Sequence, residues 1–271
     1  MTGASRATPG PVVLIGGATK PRGDALGAFV SLAHGRDGAC VVVITAASGD
    51  PAGSARDWHR DLTLAGCTDV DAPVIASRAD SMDASIAARV ASADAIFLGG
   101  GDQVKLVSIV GGTPVGAAIH AAHVRGLVVG GTSAGAAALA KTTLAGNEVD
   151  GAGELVEQYI GPGLGLVAHP TIIDTHFSER RRLYRLFVAL AEFPTLLGLG
   201  IDEDTAMVID GDEGRVVGAG GVTFVDARDV RYSNAGSGRG EPLTLSAVRV
   251  GVIGSGYGFD FAARDLIIPS D

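Results

Sequence analysis

The sequence predicts an α/β fold: a doubly wound, mostly parallel sheet with helices on both faces and an antiparallel extension near the carboxyl terminus. Up to residue 201, short apolar runs rich in β-branched residues alternate with stretches of helical length. After residue 206, short strand candidates follow one another across glycine and aspartate turns. The 271 residues are 46% hydrophobic and only 19% charged, with 41 glycines, which is typical of buried strands joined by tight turns.

The parallel part of the sheet is predicted from apolar runs that suit burial on both faces. The predicted strands are residues 12–15, 40–46, 73–76, 95–98, 126–129 and 197–201. The predicted helices, which lie between most of these strands, are residues 24–34, 55–65, 82–92, 114–125 and 178–191. This alternation of strand and helix favours a parallel sheet covered by helices.

The antiparallel extension is predicted from the short strand candidates and turn residues in the last quarter of the chain. Its strand candidates are residues 206–209, 215–218, 222–226, 243–253 and 265–268. The polar, glycine-rich segment 233–241 ends in a strand pattern, so we interpret it as a surface turn and not as a linker. The sequence therefore predicts a single domain over residues 1–271.

Composition excludes several classes of function. A formal net charge of −9 lacks the basic field that nucleic-acid binding requires. Two cysteines make no disulfide framework and fit a reducing compartment. The polar residues 1–10 and the short apolar run after them do not form a signal peptide, and no stretch is apolar enough to span a membrane. We expect a soluble cytoplasmic protein with neither nucleic acid nor membrane as its partner.

The sharpest local motif is Gly131-x-Ser133-x-Gly135, which lies between an apolar strand and an alanine-rich helix. This context is typical of a nucleophile elbow, a sharp turn that lifts a serine hydroxyl above the sheet. The backbone N–H of Ala134 would then point at a developing oxyanion. The alternative is a turn of small residues where a helix packs closely on a strand.

A serine nucleophile needs a base, and His176 is the best candidate. The histidines that lie in predicted helices are His34, His59, His120 and His123. His169 and His176 flank the predicted strand 171–174, and His176 lies at its carboxyl end, where α/β sites gather. We expect Ser178 to cap the next helix. The alternative is an ordinary loop histidine.

The acid that orients the base is sought in Asp202-Glu203-Asp204, directly after the apolar run 197–201. We favour Glu203, although spacing does not separate it from Asp202, and three acids in a row also suit a solvated turn. The order serine, histidine, acid differs from the α/β-hydrolase order of serine, acid, histidine. The hydrolase superfold is therefore disfavoured.

A glycine cluster at residues 99–101 follows the strand before the elbow strand. Gly100 or Gly101 is predicted to give the second oxyanion donor, and Gln103 to reach the substrate. The alternatives are a phosphate-binding loop or a plain tight turn. Because neither this cluster nor Gly16-Gly17 matches a Walker or dinucleotide motif, we expect no nucleotide, and the chemistry needs no metal or other cofactor.

Four arginines follow His176: Arg180, Arg181, Arg182 and Arg185. The apolar stripe of the predicted helix consists of Leu183, Leu186, Phe187 and Leu190. Arg181 falls opposite this stripe and should be solvated, whereas the others lie nearer its flanks. A flanking arginine suits a substrate carboxylate or carbonyl, and the alternative is a solvated basic face.

Together these stretches resemble the serine peptidase family that includes cyanophycinase and aspartyl dipeptidase. The matching stretches are Gly16-Gly17, FLGGGDQ at 97–103, GTSAGA at 131–136, DTHFSERRRLYRL at 174–186 and GIDEDTA at 200–206. The resemblance implies a fold like that of class I glutamine amidotransferases, a homodimer, and a triad of Ser133, His176 and Glu203.

The resemblance also implies a substrate, the polymer cyanophycin, in which each aspartate of a polyaspartate backbone carries an arginine. It assigns substrate binding to Gln103, Asp174, Thr175, Arg180, Arg182 and Arg185. The full arginine set favours cyanophycin over the short aspartyl peptides of aspartyl dipeptidase. Some cyanophycinases carry glutamine where Thr175 stands and an acid near Thr19, so the dipeptidase reading stays open. A binding protein without catalysis is the remaining alternative.

Overall fold

The computed structural model describes residues 8–149, 155–235 and 242–269. Residues 1–7 of the polar amino-terminal segment and residues 236–241 of the predicted surface turn lie outside these ranges. The helices are α1 Asp24–Leu32, α2 Pro51–Ala65, α3 Arg78–Met82, α4 Ala84–Ala91, α5 Gln103–Val110, α6 Pro114–Val124, α7 Ala134–Leu139 and α8 Leu183–Glu192. The first nine strands are β1 Val12–Ile15, β2 Cys40–Ile44, β3 Asp69–Asp71, β4 Ala95–Leu98, β5 Val129–Thr132, β6 Thr142–Val149, β7 Leu155–Pro162, β8 Thr171–Thr175 and β9 Leu197–Ile201. The later strands are β10 Thr205–Asp210, β11 Glu213–Gly218, β12 Gly221–Asp226, β13 Tyr232–Ser233, β14 Leu245–Ser246, β15 Arg249–Gly254, β16 Gly258–Asp260 and β17 Asp265–Ile267.

The main sheet has nine strands in the order β17-β16-β11-β10-β1-β5-β4-β2-β3. Strands β1, β5, β4, β2 and β3 pair in parallel, and β10, β11, β16 and β17 continue the sheet in antiparallel pairs. This arrangement confirms the predicted α/β fold with a parallel sheet and an antiparallel extension. Three of the predicted runs lie instead in a second sheet with the order β15-β12-β9-β8. The run 197–201 forms β9, the run 222–226 falls in β12, and the end of the run 243–253 falls in β15.

Both faces of the main sheet are buried under helices. Within β1, Ile15 belongs to a core that includes Phe29 of α1, whereas the neighbouring Leu14 belongs to a core that includes Ile119 of α6. Successive side chains of a strand point to opposite faces, so each parallel strand supplies both cores. This explains why these strands are continuous apolar runs in the sequence.

The predicted strand at residues 73–76 is wrong, because the strand at this edge is β3, Asp69–Asp71. Pro73 has no N–H to donate to a ladder. The buried hydroxyl of Thr45 serves the segment instead: it donates to the carbonyl of Pro73 at 3.2 Å and accepts from the N–H of Ile75 at 3.0 Å. A side chain therefore replaces the partner strand there.

No single helix in the described ranges is long and apolar enough to cross a membrane. Helices α5 and α6 together reach the required length and composition, but they are bent by 97° at the break between them.

Candidate active site

The carboxyl ends of β1, β4, β5, β8 and β9 are followed by the glycine pairs and polar residues singled out in the sequence. Strands β8 and β9 belong to the second sheet, and two backbone hydrogen bonds join their ends to the end of β1. The N–H of His176 donates to the carbonyl of Gly16 at 2.8 Å, and the N–H of Asp204 donates to that of Gly17 at 2.9 Å. The two sheets therefore present their carboxyl ends to one another.

Ser133 occupies a strained turn between β5 and α7. Its φ is 52° and its ψ is −120°, a combination that costs a non-glycine residue free energy and often occurs at functional sites. The N–H of Ser133 donates to the carbonyl of Ile15 at 2.9 Å, which ties the turn to β1. A Cβ at Gly135 would lie 2.2 Å from the carbonyl oxygen of Leu98, so α7 begins this close to β4 only because the residue is glycine.

His176 connects Ser133 to Glu203. Its Nε2 lies 2.9 Å from the Ser133 hydroxyl, and its Nδ1 lies 2.6 Å from Oε1 of Glu203. An ionised carboxylate only accepts hydrogen bonds, so Nδ1 carries the proton and Nε2 is left to accept the serine proton. The histidine side chain is only 13% exposed, and that of Glu203 is 35% exposed. The three predicted side chains thus form one hydrogen-bonded chain.

Gly17 leaves the space that the imidazole of His176 occupies. A Cβ there would lie 2.2 Å from Cε1 and 2.4 Å from Nε2 of His176, so the ring packs directly on the glycine backbone. Gly17 also has a φ of +103°, which a side chain would disfavour. The sequence marked this glycine only as part of a motif, because the contact joins residues far apart in the chain.

The structure separates the acids that spacing left undecided. The carboxylate of Asp202 accepts from the N–H of Ser178 at 3.1 Å and from the N–H of Gly221 at 3.0 Å. Asp204 pairs with Lys20 at 3.1 Å. Glu203 alone of the three reaches the imidazole, since its neighbours connect backbone segments around it.

Ala134 and the glycine loop at residues 99–101 adjoin Ser133. Ala134 is the first residue of α7, so its N–H has no intrahelical acceptor. A Cβ at Gly100 would lie 3.4 Å from the Cβ of Ser133, whereas one at Gly101 would lie 2.1 Å from the carbonyl of Ala47. The N–H of Gly99 is engaged with Ile44 at 3.0 Å. The backbone of Gly100 therefore lies beside Ser133, whereas that of Gly101 packs against Ala47.

Asp174 is a buried carboxylate at the end of β8 that two arginines share. It is 2% exposed, and it accepts from Nη1 of Arg182 at 3.2 Å and from Nε of Arg185 at 2.8 Å. Nη2 of Arg185 makes a further bond to the same carboxylate. Arg182 also donates to the carbonyl of Thr175 at 2.6 Å, next to His176. Burial lowers the pKa of Arg182, and the charge of Asp174 partly opposes that shift.

A sequence model of peptidase family S51 matches residues 12–217 of the chain. The chain belongs to this family. The predicted family resemblance is therefore confirmed.

Relatives of this S51 peptidase agree with the assignment. A cyanophycinase from Synechococcus elongatus is 36% identical over 252 residues, which cover 91% of this chain and 78% of that protein. A cyanophycinase from Trichormus variabilis is 35% identical over 271 residues, which cover 97% and 89%. The crystal structure of a peptidase from an acI-B1 Actinobacterium superposes with a TM-score of 0.68 at 20% identity, covering 95% of this chain and 99% of that one. At that identity the likeness supports the fold alone.

The helix after His176 begins later in this S51 peptidase than the sequence predicts. Helix α8 starts at Leu183 and Arg182 is its N-cap, so the prediction that Ser178 caps the helix is wrong. The N–H of Ser178 is held by Asp202, and Arg181 has a φ of 52°, which interrupts the helical turns. Arg181 is exposed, as predicted, but because of this turn and not because of a helix face. Arg180 is exposed as well.

A polar cavity of about 320 Å³ is lined by two of the six predicted binding residues. Gln103 and Arg185 line it together with Gln158 of β7. The amide nitrogen of Gln103 donates to the carbonyl of Leu144 at 2.7 Å, which fixes the side chain. Thr175 is only 5% exposed. The sequence analysis missed Gln158, because nothing in the sequence marks strands β6 and β7.

A second cavity, of about 270 Å³, is lined by Ser133 and Thr19 and by two residues that the sequence analysis did not consider, Trp58 and Asp61. Both residues lie on α2, and nothing in the sequence distinguishes them from other residues of a surface helix. The hydroxyls of Thr19 and Thr132 are 2.8 Å apart. A larger cavity, of about 760 Å³ around residues 111–120, includes none of the predicted binding or catalytic residues. In the described part of the chain, His, Cys, Asp and Glu side chains nowhere gather in threes as a metal site requires.

Proposed function

We propose that this S51 peptidase hydrolyses cyanophycin and releases β-aspartyl-arginine dipeptides, with Ser133 as its nucleophile. The observation that carries the proposal is the hydrogen-bonded chain from Ser133 through His176 to Glu203, next to arginines that Asp174 holds. The relatives named cyanophycinase, at 35% and 36% identity, supply the substrate.

The first step is attack of the Ser133 hydroxyl oxygen on a backbone carbonyl carbon of the polymer. The hydroxyl proton passes to Nε2 of His176 as the new C–O bond forms. Glu203 keeps its hydrogen bond to Nδ1 and stabilises the resulting imidazolium. The negative charge that develops on the carbonyl oxygen is stabilised by the N–H groups of Ala134 and Gly100.

The second step completes the hydrolysis. Collapse of the tetrahedral species breaks the C–N bond, and the leaving amine takes the proton from Nε2 of His176. This leaves an ester between Ser133 and the acyl fragment. Water then attacks the ester while His176 takes a proton from it, and that proton returns to the serine oxygen as the free acid leaves.

In this proposal, the branched polymer binds in the cavity that Gln103 and Arg185 line. An arginine joined to aspartate through its α-amino group keeps a free carboxylate, which a guanidinium fork recognises. Asp174 holds Nε and Nη2 of Arg185, so we assign this contact to the Nη1 side of Arg185 and to the exposed Arg180. We treat Asp174 and Arg182 as positioning residues, because Asp174 holds both arginines, Arg182 also donates to the Thr175 carbonyl, and neither residue is part of the lining of this cavity. Gln103 offers its amide to the polymer backbone.

The wider setting of the enzyme is also proposed. We infer one peptidase domain with a fold like that of class I glutamine amidotransferases, two copies of which form a homodimer. Cys40 and Cys67 are free thiols, which suits a reducing cytoplasm. Light scattering on the purified protein tests the dimer, and a mass close to that of one chain of 27.2 kDa would contradict it.

The deciding experiment is the release of β-aspartyl-arginine from purified cyanophycin by the wild type and by Ser133→Ala. We expect release by the wild type and a fall in kcat of about 10⁵-fold in the variant, because the elbow loses its nucleophile. A serine-directed phosphonate should label the wild type alone.

Other results would redirect the proposal. Full activity in Ser133→Ala would refute the serine mechanism. Hydrolysis of short aspartyl or isoaspartyl peptides without release from the polymer would select the dipeptidase reading. A folded wild type that neither hydrolyses these substrates nor reacts with the phosphonate would indicate a binding protein.

A further inference from the structure

The cavity of about 270 Å³ opens beside the proposed nucleophile and is separate from the cavity that Arg185 lines. Its lining includes Ser133 and Gly100 together with Trp58 and Asp61 of α2. Gly100 lines this cavity, whereas the next residue, Gly101, lines the other. The two cavities therefore open next to each other along one glycine loop.

Trp58 is fixed against that loop. Its ring lies 4.7 Å from the ring of Phe97, measured between centroids, at an angle of 55°. A Cβ at Gly99 would lie 2.9 Å from the indole nitrogen, so the indole packs on bare backbone. Asp61 follows three residues later on α2, which places both side chains on the same face of the helix.

Asp61 is the one charged residue among the described residues that line this cavity. Its side chain is 21% exposed, and Oδ1 accepts from Nε of Arg60 at 2.9 Å. Arg60 is 61% exposed and also donates to Asp57 at 3.0 Å. An exposed pair of this kind contributes little free energy, and Arg60 keeps Asp57 as a partner. A cation that enters the cavity can therefore compete for Asp61.

We propose that Trp58 and Asp61 form a subsite for the guanidinium group of a substrate arginine; this rests on the function proposed above. A guanidinium is planar, donates two parallel hydrogen bonds to a carboxylate, and stacks on an indole face. Both partners are present here within one cavity beside the reacting serine. An uncharged or anionic group would leave the carboxylate of Asp61 without a cationic partner from the substrate.

The test compares two substrates that differ only in charge at the end of the branch. One is a short oligomer of β-arginyl aspartate, and the other carries citrulline, whose urea group has the shape of guanidinium but no charge. We expect the wild type to prefer arginine, and Asp61→Asn to lower that preference in kcat/KM by about tenfold, mainly through KM. Asp57→Asn is the matched control, since it removes the other carboxylate on Arg60 without touching the cavity.

A binding measurement decides the inference even without turnover. In the Ser133→Ala background, calorimetry should give tighter binding of the arginine oligomer than of the citrulline oligomer, and Asp61→Asn should abolish the difference. Asp61→Glu, which keeps the charge, should retain part of it and guards against loss of folding. An arginine preference that is unchanged in Asp61→Asn, or lost equally in Asp57→Asn, overturns the subsite. Absence of hydrolysis by the wild type refutes the proposed function instead and leaves the binding result to stand alone.

Discussion

Two regions of the molecule use the same buried chemistry to different ends. Asp174, at the end of β8, is 2% exposed, and Asp226, at the end of β12, is 4% exposed. Each carboxylate is surrounded by arginines. Asp174 accepts from two of them, and Asp226 accepts from Arg228 at 2.9 Å and from Arg264 at 2.9 Å.

The two aspartate clusters differ in what surrounds their arginines. Arg264 continues to the carbonyl of Thr195 at 2.6 Å, and Arg249 donates to the carbonyl of Arg264 while lying 5.4 Å from the ring of Phe224. Arg264 is 8% exposed and ends on the protein itself, whereas Arg228 and Arg249 are 42% and 46% exposed and face solvent. Arg185, by contrast, lines a cavity next to the glycine loop. We therefore associate a buried cluster of aspartate and arginines with substrate binding only where one of the arginines lines a cavity beside the proposed catalytic residues.

Asp174→Asn gives the largest effect that this comparison predicts. The amide presents N–H groups to Arg182 and Arg185, which lose their fixed orientation beside His176. We expect kcat/KM on cyanophycin to fall about 100-fold, the cost typical of misplacing groups at a reaction centre. Steady-state kinetics on the purified variant measure it.

Stability must be measured alongside, because the variant also leaves buried arginines unpaired. Urea unfolding followed by the fluorescence of Trp58, the single tryptophan, gives the free energy of unfolding. A folded Asp174→Asn with wild-type kinetics would mean that the two aspartate clusters are both purely structural.

Much of the candidate site could be predicted from the sequence, because apolar runs show where the strands end. Ser133, His176 and Glu203 each follow an apolar run. The parallel pairing of β8 with β9 brings His176 and Glu203 together. Ser133 comes from β5 of the main sheet, and only the folded chain shows the backbone hydrogen bonds that join the two sheets. Asp202 and Glu203 were not separable by spacing. The backbone N–H groups that hold Asp202 come from Ser178 and Gly221, which only the folded chain brings near.

The failures have the same origin in tertiary contacts. The early start predicted for the last helix rested on Ser178 as its N-cap, but residues 177–182 form separate hydrogen-bonded turns, in which Arg182 donates to the carbonyl of Phe177 at 3.1 Å. Trp58 and Asp61 were overlooked because a helix surface with one aromatic residue and a few charged residues is common. Their meaning depends on Gly99 and Gly100, about 40 residues later in the chain.

Asp226→Asn, unlike Asp174→Asn, should lower the stability of the protein and leave its activity nearly unchanged. Arg264, whose side chain is 8% exposed, would be left buried without its carboxylate. We expect a loss of about 3 kcal/mol in the free energy of unfolding, as for other broken buried pairs. Under conditions where the protein stays folded, kcat/KM should remain within about twofold of wild type, because distant sites act independently. A loss of activity as large as that of Asp174→Asn would contradict the division between the clusters.

The smallest predicted effect is the pH dependence of that stability difference. Burial opposes the charge on Asp226, but the hydrogen bonds from Arg228 and the charge of Arg264 outweigh it, so its pKa lies below the ordinary value. A folded-state pKa that is lowered contributes stability above the unfolded pKa of about 3.9, and this contribution is lost as pH falls through the folded value. In urea unfolding, the difference in the free energy of unfolding between wild type and Asp226→Asn should therefore be constant from about pH 8 to about pH 5 and decrease below about pH 4. A gap that widens on acidification would show that the arginines do not stabilise the ionised form of Asp226.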